Sequence, residues 1–121
     1  MKLTEVVGLL DAEILCGNDT IDFDIDFVCA GDLMSDILVF SKPKAILLTG
    51  LVNVQAIRTS EMLDFSAVVF IRDKKPSKEM LDLARQKKIV LLSTPKTMYL
   101  SCGLLYESGL KNVTTTEEVN A

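Results

Sequence analysis

The sequence predicts an α/β domain built on a mainly parallel sheet of four or more strands, with helices on both faces. Three observations lead there. The apolar runs "AILLTG", "AVVFI" and "IVLLS" begin at Ala45, Ala67 and Ile89, 22 residues apart each time. Each run is short, apolar at successive positions and carries β-branched residues, which is how a strand covered on both faces reads. Segments with helix-capping residues lie between them, and strand-helix-strand at this spacing means parallel strands joined by right-handed crossovers.

In chain order, Thr4–Leu10 reads as a short opening helix and Ala12–Cys16 ("AEILC") as a strand. "TIDFDIDFV" then alternates without a break, with Ile21, Phe23, Ile25 and Phe27 on one side and Asp22, Asp24 and Asp26 on the other. Period two predicts an edge or half-exposed strand. "GDLMSDILVF" reads as a helix with Asp32 near its start. The crossover helices are Asn53–Asp64 and Ser77–Lys88, the second following Pro76 with Ser77 as N-cap. Thr97–Ser108 is a last helix, closed by Gly109. The domain is expected to span 1–110. The tail, 111–121, carries little apolar matter and is expected to fray.

Composition excludes several classes of function. A chain of 121 residues with 49% hydrophobic content is one ordinary globular domain. Its formal charge is −4, and it lacks the basic stripe that phosphate-backbone binding needs. "RQKKI" (Arg85, Lys87, Lys88) falls at a helix end, where cations complement the dipole, so nucleic acid is not expected as a partner. The start "MKLTEVVGLL" has neither the apolar run nor the cleavage site of a signal peptide. No stretch approaches the ~20 apolar residues of a membrane span. A cytoplasmic protein without a membrane partner is the expectation. Cys16, Cys29 and Cys102 are odd in number and set in apolar sequence, which suits buried reduced thiols. The chain has no histidine, so the commonest general base and metal ligand are absent. Catalysis by this chain alone is not expected, and no cofactor or metal is implied.

In a parallel α/β sheet, ligands gather where strand ends lead into helix N-termini. Those loops are "CAGD", "TGLVN", "RDKKPS" and "STPKT". They make Thr49, Gly50, Asn53, Ser93, Thr94 and Thr97 the candidate ligands of an anion, with Arg72, Lys74, Lys75 and Lys96 nearby. Capping alone also asks for hydroxyls and amides at these positions. Neither GxxxxGK[ST] nor GxGxxG occurs, so nucleotide-hydrolysing and dinucleotide-binding motifs are excluded. The aspartates at 22, 24 and 26 read as a solvated strand face rather than a metal site.

Helix faces indicate self-association. At ~100° per residue, Ala56, Ile57, Ser60 and Leu63 share the sheet-facing side of their helix. Val54, Arg58, Glu61 and Met62 fall outside, with Arg58 and Glu61 spaced to pair. "DLMSDILVF" and "TMYLSCGLLY" are apolar around most of their circumference, more than a small domain buries internally. Met34, Val54, Arg58, Met62, Met98, Tyr99 and Tyr106 are the candidate interface residues of a homodimer.

The segments "AGDLMSDIL", "LLTGLVNVQAIRTSEMLDFSAVVFIRDKKP" and "LLSTPKTMYLSCGLLYESGL", in this order, give the chain a resemblance to the DRTGG domain over roughly residues 2 to 110. "TGLVNVQ" occupies the turn where some relatives carry an Asp-Arg-Thr run. The resemblance implies a three-layer α/β/α fold like that of the N-terminal domain of HPr kinase/phosphorylase. It also implies a regulatory or dimerising role, since such domains sit between CBS domains in some inorganic pyrophosphatases and inside some phosphate acetyltransferases. Stand-alone members are associated with anaerobic bacteria and with neighbouring genes for iron-only hydrogenase components and signalling kinases. Two functions are therefore expected candidates. One is a non-catalytic dimerising module acting on a partner enzyme or signalling protein. The alternative is a sensor for a nucleotide or other phosphorylated small molecule at the strand ends.

Overall fold

The computed structural model describes residues 1–17, 19, 21–38 and 42–113. Its elements run α1 (Leu3–Leu9), β1 (Glu13–Cys16), β2 (Phe27–Ala30), α2 (Met34–Ile37), β3 (Ala45–Thr49) and α3 (Val54–Met62). They continue with β4 (Ala67–Phe70), α4 (Lys78–Lys87), β5 (Val90–Ser93), α5 (Met98–Glu107) and β6 (Lys111–Asn112). Six strands form one sheet in the order β1-β5-β4-β3-β2-β6. β2 to β6 are parallel, and β1 alone runs antiparallel, against β5.

The layers follow from that order. From β2 to β5 each new strand is added on the same side, and crossovers of one hand then place α2, α3 and α4 on one face. β6 returns to the far side of β2, which reverses direction and sends α5 to the opposite face beside α1. The core confirms both layers. Leu47, Val68, Phe70 and Leu91 pack with Ile37, Ala56, Ile57, Met80 and Ala84. Ile46, Leu48, Ala67, Val69, Val90 and Leu92 pack with Leu3, Val6 and Leu105. Successive strand residues thus face opposite layers, so β3, β4 and β5 are buried at every position. Each fully buried Leu, Ile or Val contributes about 1.5–3 kcal/mol relative to exposure. The architecture is three-layer α/β/α.

The crossover helices match their expected positions, but three segments differ. Residues 21–26 are not part of a regular strand, and only Phe27 begins β2. The N-terminal residues take that backbone instead: Ile25 N–H donates to Met1 O at 2.6 Å and Leu3 N–H to Phe23 O at 2.9 Å. The alternation survives as burial, with Ile25 in the core and Asp22, Asp24 and Asp26 exposed. Asp22 and Asp24 pair with Lys2 at 3.7 and 3.6 Å, contacts worth little in water. The helix expected across 31–40 is a single turn, α2, whose start has no side-chain cap. Val39 and Phe40 lie outside the described residues. The tail expected from 111 begins in the sheet: Lys111–Asn112 pairs with β2 and Val113 is buried. Positions 114–121 lie outside the described residues.

Candidate functional site

The carboxyl ends of β2 to β5 bring Thr49, Gly50 and Ser93 into one hydrogen-bonded chain, but the anion at its centre is internal. Asp32, just past β2, accepts Gly50 N–H at 2.7 Å and the Thr49 hydroxyl at 3.1 Å on one carboxylate oxygen. Thr49 Oγ1 in turn accepts Leu51 N–H at 3.0 Å. Lys74 donates to Gly50 O at 2.9 Å, and the Ser93 hydroxyl donates to Lys74 O at 2.8 Å. Close approach explains the glycine: a Cβ there would lie 3.3 Å from Lys74 Nζ and 3.5 Å from both Asp32 carboxylate oxygens.

The other expected anion ligands make hydrogen bonds within the chain. Asn53 caps α3 by accepting Gln55 N–H at 2.9 Å, and Thr97 caps α5 through Leu100 N–H at 3.3 Å. Thr94 is fully buried and donates its hydroxyl to Leu10 O. Lys75 and Lys96 are engaged as well. Lys75 meets Glu13 at 2.8 Å and Asp73 at 3.1 Å, and its hydrogen bond to Glu13, followed by that to Asp73, raises its pKa. Lys96 meets Asp11 at 3.4 Å. Arg72 and Asp73 adopt left-handed backbone conformations. Their N–H groups donate to Lys96 O and Thr94 O at 2.9 and 2.7 Å, joining two neighbouring loops.

The expected interface residues divide. Met34 is a core residue, 9% exposed, because α2 is one turn long and its first side chain packs against Ile37 and the sheet. Val54 is half-buried against the same core, so it faces inward rather than outward. Met98 is half-buried against the opposite layer. Arg58 is exposed, and Glu61 pairs across helices with Lys87 at 3.0 Å rather than with Arg58. Met62, Tyr99 and Tyr106 are 72%, 91% and 77% exposed. Tyr99, Gly103 and Tyr106 are spaced four and three apart, so they share one stripe on α5. A Cβ at Gly103 would meet nothing within 4 Å.

A large cavity lies at the other end of the sheet. It is a half-open groove of about 960 Å³ between the end of β1 and the starts of β4 and β5, with Lys44, Arg85 and Lys88 among its lining. No local motif marks it, because its walls come from distant parts of the sequence. Burial raises the thiol pKa of all three cysteines, with Cys29 reaching about 11. The Arg85 charge partly opposes that rise at Cys16. None is a thiolate nucleophile at neutral pH. Among the described residues no group of three or more His, Cys, Asp or Glu side chains could hold a metal ion. No helix among them is long and apolar enough to cross a membrane.

This three-layer arrangement is shared with a solved structure, the CBS and DRTGG domains of the regulatory region of Clostridium perfringens pyrophosphatase complexed with its activator, diadenosine tetraphosphate. The TM-score is 0.72 at 20% identity, covering 90% of this chain. The chain spans about half of that neighbour's length, 47%. At this identity the likeness is one of fold. No protein-family model matches the chain, and no curated protein matches it.

Proposed function

We propose that the chain is a non-catalytic, DRTGG-type regulatory module that forms a homodimer and acts on a partner enzyme. The observation that carries this reading is the outer face of α5. Tyr99 and Tyr106 stand almost fully exposed on either side of Gly103, with Leu100 46% exposed beside them. A glycine inside a helix costs roughly 0.5–1 kcal/mol relative to alanine, and no neighbour among the described residues requires one at Gly103. Two aromatics flanking a bare backbone are suited to close approach by a second helix. The fold it shares with an enzyme's regulatory region supports the same role. Sedimentation equilibrium at tens of micromolar is expected to give a dimer, and the double variant Tyr99→Glu, Tyr106→Glu a folded monomer. A monomeric parent protein would overturn the reading.

The second reading is a sensor of a nucleotide or other phosphorylated metabolite at Thr49, Gly50, Asn53, Ser93, Thr94 and Thr97. The neighbour's nucleotide activator favours it. Such a ligand would have to displace the Asp32 carboxylate from Gly50 N–H. A nucleotide at ~100 times its Kd adds about 2.7 kcal/mol, so thermal shift against a nucleotide panel reads it directly. No shift across the panel would reject it.

A further inference from the structure

We infer that the groove at the amino ends of the parallel strands is a binding site for a small organic anion with an apolar or aromatic body. This goes beyond the docking role of α5 and places a ligand at the opposite end of the sheet from the Thr49-Gly50 turn. Its volume, about 960 Å³, falls in the range of ~300–1,000 Å³ typical of small-molecule clefts. Its wall exists because β1 is antiparallel: the strand ends at Cys16 beside the start of β5. Gly17 then turns at φ +86°, so close that a Cβ would lie 2.9 Å from Val90 Cγ2.

The lining has two chemistries. Leu15, Phe23, Ile89 and Val90 supply apolar surface. Lys44, Arg85 and Lys88 supply positive charge, against Asp19 and Asp64. Arg85 is engaged by Asp82 at 3.5 Å. The Lys44 and Lys88 side chains have no ion-pair or hydrogen-bond partner among the described residues, whereas Lys74, Lys75, Lys87 and Lys96 all do. The half-buried Ser66 hydroxyl on the wall is likewise without a partner. Two ammonium groups and a hydroxyl without partners among the described residues, set beside an apolar floor, suit an anionic group on an apolar body. Helix-end complementarity accounts for a lysine near the end of α4, but not for Lys44, which precedes β3, or for the cavity.

The test uses 1-anilinonaphthalene-8-sulfonate as probe and N-phenyl-1-naphthylamine, the same rings without the sulfonate, as its neutral counterpart. Amide chemical shifts of the full chain are expected to move at Gly17, Ser66 and Val90, with the sulfonate binding at least about tenfold more tightly. Lys44 and Lys88 sit at φ +58° and +59°, so Lys44→Asn and Lys88→Asn retain a residue that tolerates the left-handed region. The double variant, with a parent-like amide spectrum, should lose that preference and keep the neutral probe's affinity. Equal binding of the two probes, an unaffected double variant, or shifts confined to Tyr99 and Tyr106 would overturn the proposal. Shifts at Gly50 and Asn53 instead would overturn it and favour the sensor reading.

Discussion

At the carboxyl ends of β2 to β5 the loops are tied together by the chain's own groups, whereas at the amino ends a groove holds two lysines and a hydroxyl that have no partner among the described residues. Asp32 fills the position above Gly50 N–H that an outside anion would take, and Lys74 and Ser93 extend the network to the next strands. Across the sheet, Lys44, Ser66 and Lys88 border open volume. The difference teaches that a strand end rich in hydroxyls and amides can be a finished piece of scaffold.

The most severe way to break this contrast is to loosen the closed end from beneath. Phe70 is fully buried at the end of β4, and Phe70→Ala is expected to cost roughly 3–5 kcal/mol in urea unfolding. Amide exchange should then rise more at Gly50 than at Gly17. Asp32→Ala removes the acceptor of two hydrogen bonds and should cost about 1–3 kcal/mol. Asp32→Asn keeps an acceptor oxygen and should recover part of that loss, which separates the hydrogen bonds from the charge.

A further effect is one of pH. Burial raises Cys29 from the ordinary thiol value to about 11, so the folded state holds its proton where the unfolded chain releases it. That contribution is complete below about pH 9 and is lost as pH rises toward 11. The urea midpoint should therefore fall over that window, and Cys29→Ala should flatten the fall. A midpoint that rises with pH there would contradict the burial of this thiol.

Much of the frame was legible because its signals are local. The 22-residue recurrence located β3, β4 and β5, and Asn53, Ser77 and Thr97 cap α3, α4 and α5 as helix-start residues should. Alternation at 21–27 gave correct burial but too long a strand, since Met1 and Leu3 take the backbone groups that a neighbouring strand would otherwise have used. α2 is one turn long, and Asp32, the residue placed near its start, holds Gly50 N–H and leaves the helix start uncapped. Neither β6 nor the groove has a local signature. Gly17, Lys44, Ser66 and Lys88 become neighbours only through the sheet order and the reversal of β1.

That reversal also sets a timetable. Among the described strands β1 pairs with β5 alone, and the Thr94 hydroxyl reaches Leu10 O across 84 residues of chain. During synthesis at about 5–20 residues per second, the first strand waits on the order of ten seconds for the strand it needs. The β3-α3-β4-α4-β5 unit closes through short loops and can assemble first. Until it does, β1 lacks the strand that pairs its backbone, and an unpaired edge is a template for a misplaced strand.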